Sequence, residues 1–525
     1  METITTESRR QQLQITLDAE RSSEERNKLG QFATPHELAA EIAGVALKYL
    51  GDRPIRFMEP AVGSGAFYSA LLATCPAGRI KRAFGFKLDP RFVEAARTLW
   101  ADSGLIVTPG DFTSTPTPTS DELRATLILA NPPYVRHHHL ERAHKLALQA
   151  RAEATLDARV SGLTGLYVYF IILAHGWMSD DAVAAWLVPT EWMDVNYGAS
   201  LKEYLCSKVQ LLRVHRFDAA DVQFGDALVS SSIIFFRKAT PPAGGTCEMT
   251  VGRLTAPTRS RSQDISGLRH ALKWSPYFQP LSAQGPATSA RCALTLSDLL
   301  MVKRGIATGD NAFFIRPRAE FARRGIPRSF LRPVLPSSRH LTGDVIGRAA
   351  DGYPDLEEPL ALLDCNLSES EIKARYPNLW HYLESEPGQE ARRGYLARGR
   401  RLWYAQEHRP NAPVVSTYMG RGRAGRPPFR FFWNQSEATA TNVYLLLIPK
   451  PKLAALLQET PALGRVIVDF LVDTDPVELL GHGRVYGGGL HKLEPKELGR
   501  LNATKLAERL GLDPGPRASQ TRLPF

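Results

Sequence analysis

A chain of 525 residues exceeds one ordinary domain, so two are expected, and 43% hydrophobic residues can fill two cores. Lys plus Arg number 65 against 54 Asp plus Glu, and the net charge of +11 suits either a solubilising surface or a polyanionic partner. Five scattered cysteines without a Cys-x-x-Cys pair argue against a disulfide framework or a cysteine-bound zinc, the polar N-terminus has no apolar core of a signal peptide, and no apolar run is long enough for a bilayer span, so a cytoplasmic protein is expected.

Residues 1–29 read as a polar arm, mobile or helical. Gly30-Gln31-Phe32-Ala33-Thr34-Pro35 turns into a helix with Leu38, Ile42, Val45, Leu47 and Leu50 on one face. Thr34 is the expected N-cap, with Pro35 at the first helical position and Glu37 completing a capping box. A short strand, Ile55–Met58, then runs into Glu59-Pro60-Ala61-Val62-Gly63-Ser64-Gly65 and a second helix. Gly63 and Gly65 would let backbone approach a ligand at a helix amino end, though one such turn is a weak signal. The next strand ends at Lys87-Leu88-Asp89-Pro90, where an acidic residue would hold a ribose, and a third leads to Gly110-Asp111-Phe112.

The fourth strand, Leu127–Ala130, stops at Asn131-Pro132-Pro133-Tyr134, which can continue neither strand nor helix. An amide oxygen beside a rigid carbonyl makes two acceptors suited to an exocyclic NH2, and the Tyr offers a stacking face. Four successive strand ends of this kind are far more specific than one. The glycine turn would hold a cofactor's amino-acid part, Asp89 or its neighbours the ribose, and Asp111 with Phe112 an adenine. A nucleoside cofactor beside a grip on NH2 fits S-adenosyl-L-methionine and methyl transfer to an amino group of a flipped base.

Beyond the turn, His137-His138-His139 are consecutive and do not converge on one ion, so no metal is expected and contact with DNA phosphates is the better reading. Ala184–Pro189, Leu211–Phe217 and Leu228–Phe236 read as strands, and Phe224 stands at a Gly turn as either a core residue or a stacking face. Residues 241–295, rich in Pro, Gly, Ser, Thr and Arg, read as a linker. Residues 296–525 interleave arginines with aromatics at Arg400-Arg401-Leu402-Trp403-Tyr404, Arg421–Arg426 and Phe429–Asn434. That pattern suits DNA contact or, equally plainly, a solvated basic face over an aromatic core.

The order Thr34-Pro35, Glu59 through Gly65, Gly85 through Asp89, Gly110-Asp111-Phe112 and Asn131-Pro132-Pro133-Tyr134 resembles the gamma-class N6-adenine DNA methyltransferases of the TaqI-like kind. The similarity covers most of residues 30–236, and beyond them only patches such as Arg304–Asn311 and Gly487–Leu490. The resemblance implies a Rossmann-like domain over 30–240, with a mostly parallel seven-stranded sheet, and a mixed α/β target-recognition domain over 296–525. It implies that Glu59 binds the methionine amino group of S-adenosyl-L-methionine, with Thr34 and Ala61 nearby, and that Asp111 and Phe112 hold the cofactor's adenine. Asn131 and Pro132 would grip the target N6 while Tyr134 and Phe224 sandwich the base. Where the family usually carries an acidic residue for the ribose, this chain has Lys87, which only donates, so Asp89 would have to take that role. The implied protein is the modification half of a restriction-modification system, a monomer on double-stranded DNA with any endonuclease on another chain. Methyltransferases of RNA bases or of protein glutamine, and a DNA-binding protein with a decayed methyltransferase fold, remain open alternatives.

Overall fold

The computed structural model describes residues 5–512 except 23–24, 27–28, 77, 136, 219–229, 280–293, 423–427, 476–478, 480–483 and 487–489. Phe224, Gly487–Gly489 and most of the Arg421–Arg426 run therefore lie outside the described residues. The chain divides into two compact units, one formed by 1–284 with 486–488 and the other by 285–485 with 489–525.

The first unit runs α1 (Thr6–Ala19), α2 (His36–Leu50), β1 (Ile55–Glu59), α3 (Ala66–Thr74), β2 (Ile80–Lys87), α4 (Pro90–Trp100), β3 (Leu105–Pro109), β4 (Ala125–Ala130), α5 (Arg142–Leu156), α6 (Leu166–Ala174), β5 (Met178–Pro189), α7 (Ala199–Ser207), β6 (Gln210–Arg216), β7 (Ser231–Arg237), β8 (Thr246–Gly252) and β9 (Pro257–Asp264). Its strands form one sheet in the order β3-β2-β1-β4-β5-β7-β6-β8-β9. β3 to β5 are parallel and β7 is inserted antiparallel between β5 and β6. The apolar run of β4 is buried on both faces: Ile128 and Ala130 enter one core and Leu127 and Leu129 the other, the two-residue alternation of a central strand.

The sheet has nine strands rather than the seven expected, because β8 and β9 come from the stretch read as a linker. Composition misled there for a physical reason. β8 interleaves the buried Cys247, Met249 and Val251 with the polar Thr246, Glu248 and Thr250, and β9, Pro-Thr-Arg-Ser-Arg-Ser-Gln-Asp, is a polar edge strand. The helix start also differs: α2 begins after Pro35 without a side-chain cap, since the Thr34 hydroxyl is engaged elsewhere. The amino-terminal arm is helical, and α1 packs on the glycine turn and α3: Arg10 Nη1 donates to Ser64 Oγ at 2.9 Å and Ser69 Oγ donates to Glu7 Oε2 at 2.6 Å.

The second unit holds a five-stranded sheet in the spatial order Leu300–Arg304, Tyr444–Pro449, Val414–Thr417, Phe431–Asn434, Val345–Ile346, and a three-stranded sheet of Ile315–Pro317, Leu360–Leu363 and Leu331–Val334. Trp403, Tyr404, Phe429, Phe431 and Phe432 are buried, so the aromatics of the arginine-rich runs build the core. Some of the arginines are structural too: Arg400 donates to the Ala307 carbonyl and Arg430 to the Leu341 carbonyl, each at 2.8 Å. Arg393, Arg398 and Arg401 are exposed. Among the described residues no helix is long and apolar enough to cross a membrane.

Candidate active site

Strand order reverses between β1 and β4, and the crevice beyond the carboxyl ends of strands at such a point is where open α/β sheets bind ligands. A cleft of about 250 Å3 opens there. Thr34, Glu59, Ala61, Gly63, Asp89, Asp111, Phe112 and Asn131 all line it. Four strand ends far apart in sequence are thereby brought together.

At the end of β4 the Asn131 amide is fixed. Its Nδ2 donates to the Phe32 carbonyl at 2.9 Å and to Thr34 Oγ1 at 3.1 Å. A carbonyl can only accept, so the nitrogen must face Phe32, and the amide cannot be turned over. The oxygen is left as a spare acceptor, with no hydrogen bond among the described residues. The loop that orients it is clamped on the same turn: Tyr134 N–H donates to the Gly30 carbonyl at 3.0 Å, and the Tyr134 hydroxyl donates to Leu187 O at 3.1 Å. The Tyr134 ring sits 5.5 Å from Phe32, and burial raises its phenol well above the usual range, so it stays a neutral donor. Pro132 is buried and does not line the cleft, as its neighbours Asn131 and Pro133 do.

Gly30 has φ +61, and a Cβ there would meet Tyr134 N at 2.3 Å. Gly30→Ala is expected to cost at least about 1–3 kcal/mol in strain and to shift the turn, read as a lower denaturation midpoint together with impaired catalysis. Wild-type stability and turnover in that variant would show that the clamp is dispensable.

On the opposite wall the glycine turn carries Gly63 at φ +55, with open space where its Cβ would stand. Gly65 does not line the cleft; at φ +87 its missing side chain makes room for Trp100, whose Nε1 donates to Ser64 O at 2.9 Å. Glu59, at the end of β1, is only 3% exposed, and its Oε2 has no hydrogen-bond partner among the described residues. Burial drives its carboxyl well above the ordinary range, against the pull of Arg10 and Lys87. An orphaned buried carboxylate oxygen facing a cleft calls for a cationic donor.

Asp111 caps the turn after β3, accepting from Thr113 N at 2.8 Å, and His144 Nε2 stands 3.4 Å from its Oδ2. Phe112 is buried against Phe86, Phe170 and Trp177 in the cleft wall. Asp89 is already committed: it caps α4 and meets Arg91 Nη2 at 2.8 Å and Arg21 Nη2 at 2.9 Å. Lys87 is half-buried with its amine over the Phe92 ring, 4.2 Å from the centroid, and desolvation there holds that amine down to about 8. The sequence did not point to Gln14 and Asp18 of α1, which also line the cleft, nor to Leu166 and Phe170 of α6. A charge-rich helix reads as a solvated face, and an all-apolar one as core.

A doubly wound sheet, a cleft at its switch point and an Asn-Pro-Pro-Tyr turn in that cleft define a Rossmann-like methyltransferase. The Eco57I restriction-modification methylase family matches residues 118–223, and the family of the C-terminal domain of the type II methyltransferase M.Eco57I matches residues 281–513. The type II methyltransferase M.XamI of Xanthomonas campestris pv. amaranthicola is 26% identical over 471 residues, 86% of this chain and 81% of its own. M.AccI of Acinetobacter calcoaceticus, also a type II methyltransferase, is 23% identical over 495 residues, 91% of this chain and 86% of its own. The fold is similar to that of the type IIL restriction-modification enzyme MmeI, solved in complex with DNA, with a TM-score of 0.50 and 13% identity over 86% of this chain and 67% of that one. Similarity to type II restriction-modification DNA methyltransferases thus extends over both units of the chain.

Proposed function

We propose that this methyltransferase transfers the methyl group of S-adenosyl-L-methionine to N6 of an adenine in a specific duplex DNA sequence, as the modification half of a restriction-modification system. The observation that carries the reading is the orientation of Asn131, a residue of the cleft wall whose nitrogen is tied down by Phe32 and Thr34, which leaves its oxygen as the amide atom still able to bond. An acceptor in that place suits an amino group. It does not suit a ring nitrogen that must itself accept.

The residues of the cleft fit the cofactor. The unpartnered Glu59 oxygen would take its ammonium group, backbone at Gly63 its amino-acid chain, and Asp111 with Phe112 its adenine. When bound, the cofactor supplies an electrophilic methyl group on a sulfonium. Adenine N6 is a poor nucleophile because its lone pair is drawn into the ring. Accepting one N–H at Asn131 Oδ1 and the other at the Pro132 carbonyl favours a pyramidal nitrogen whose lone pair is freed for attack. The proton leaves afterwards to water, and no side chain need act as a strong base. Catalysis by this chain is thus largely positioning and fixed dipoles. Tyr134, with Phe224, would stack the flipped base and offset the few kcal/mol that unstacking costs.

The second unit would read the duplex. Alanine at the exposed Arg393, Arg398 and Arg401 is expected to weaken DNA binding and to lower the dependence of log affinity on log salt by about one for each phosphate no longer neutralised. Arg400→Ala and Arg430→Ala should instead lower stability, since both side chains hold backbone carbonyls. Equal salt slopes in all five variants would move the DNA off this surface.

Expression in a methylation-free host followed by genome-wide mapping of modified bases tests the whole reading. N6-methyladenine confined to one sequence context supports it. Modified cytosine, or methyl groups found on RNA or protein glutamine instead, would overturn it.

A further inference from the structure

The end of β2 has no free carboxylate for a ribose. Lys87 stands there with its amine over the Phe92 ring. Asp89 follows, but its carboxylate already takes the Arg91 N–H at 3.2 Å, Arg91 Nη2 at 2.8 Å and Arg21 Nη2 at 2.9 Å, and its side chain is only 9% exposed. A pair of hydroxyls would have to displace a guanidinium to reach it.

The missing acceptor is on α1. Arg10, Gln14 and Asp18 fall four residues apart and so lie along one face of that helix, about 12 Å from first to last at 1.5 Å per residue. That is the span of a nucleoside with an amino-acid chain attached. Arg10 is fixed at one end, on Ser64 of the glycine turn and close enough to Glu59 to act on its charge. Asp18 is at the other end, close enough to Lys87 to act on that amine. Gln14 and Asp18 both line the cleft, and Gln14 Nε2 donates to Asp18 Oδ2 at 2.8 Å, which orients the carboxylate. A carboxylate has about four acceptor sites, so this one bond leaves room for a vicinal diol.

We propose that Asp18, on the amino-terminal helix, binds the ribose hydroxyls of the cofactor in place of the carboxylate that β2 lacks, which makes α1 a wall of the cofactor site. The assignment rests on the S-adenosyl-L-methionine reading above. It places ribose recognition on an element that lies before the glycine turn in sequence.

Calorimetry of the full chain with S-adenosylhomocysteine and with its 2′,3′-dideoxy counterpart tests it. The unaltered protein should prefer the diol-bearing ligand by about tenfold to a hundredfold, the range of hydrogen bonds to a charged group. Asp18→Asn and Asp18→Ala should lose most of that preference while binding the dideoxy ligand as the unaltered protein does, with circular dichroism confirming the fold. Asp89→Asn should keep the preference and lower the melting temperature, because it loses the charge that pairs with Arg91 and Arg21. If Asp18 variants discriminate the diol as well as the unaltered protein, or if Asp89→Asn alone abolishes discrimination, the assignment is overturned. If the unaltered protein binds neither ligand, the cofactor reading itself fails, and this assignment with it.

Discussion

Asn131→Ala is expected to lower the rate of methyl transfer at saturating cofactor and DNA by a hundredfold to a thousandfold or more, about the loss seen when one fixed dipole is removed from a developing charge. The cause is geometric. The amide oxygen can be replaced by water, but water is not held in line with the target nitrogen. The Phe32 and Thr34 bonds exist only to aim that oxygen, so they make a second, graded prediction. Thr34→Val removes one of the two acceptors on the amide nitrogen and leaves the Phe32 carbonyl, and a loss of about tenfold is expected, at the scale of one hydrogen bond. Single-turnover rates measured beside cofactor and DNA affinities separate these effects from weakened binding. A full rate in Asn131→Ala would refute the assignment of the turn. A Thr34→Val defect confined to cofactor affinity would return Thr34 to the cofactor wall.

Thr34 also shows what the sequence could and could not reveal. Its spacing to Pro35 and Glu37 is that of a capping box, and the local rule was sound. A contact 97 residues away in sequence took the hydroxyl instead, and no local pattern contains that. The four strand ends were legible because each combines a buried apolar run with a residue type that stops it, and the sheet then has to align them. Gly63 and Gly65 look equivalent in sequence. Only the packing distinguishes them, one opening toward the cleft and the other making way for Trp100. Likewise the aromatics around Arg400 and Arg430 matched both a base-stacking surface and a core, and burial chose the core. β8 and β9 stayed hidden because β8 interleaves polar residues with its apolar ones and β9, at the edge, needs little apolar sequence. Cooperation between distant segments was out of reach in each case, as it was for α1 against the glycine turn.

Glu59 carries the other large prediction, and its sign follows from burial. The carboxyl lies well above the ordinary range because it is desolvated, so in the empty site it keeps its proton at pH values where an exposed glutamate is ionised. A cofactor ammonium binds the ionised form. Binding below the raised pKa therefore releases a proton, and affinity rises with pH until Glu59 ionises unaided, then levels. Glu59→Gln should lower affinity on that plateau by about tenfold to a hundredfold, the worth of a charge-assisted hydrogen bond, and should flatten the slope. The same shift has the opposite consequence for stability. A carboxyl whose folded pKa is raised binds more protons folded than unfolded, so it stabilises the protein below the ordinary carboxylate pKa, and that contribution is lost as pH rises through the folded value. Above the ordinary carboxylate pKa the group costs stability, first by holding a proton that the unfolded chain releases and then as a buried charge, so Glu59→Gln should melt higher than the unaltered protein while binding cofactor more weakly. Titrating both quantities in one pair of proteins makes the test strict. A variant that keeps the pH slope would place the ammonium group elsewhere, and one that melts lower would mean that Glu59 supports the fold rather than the ligand.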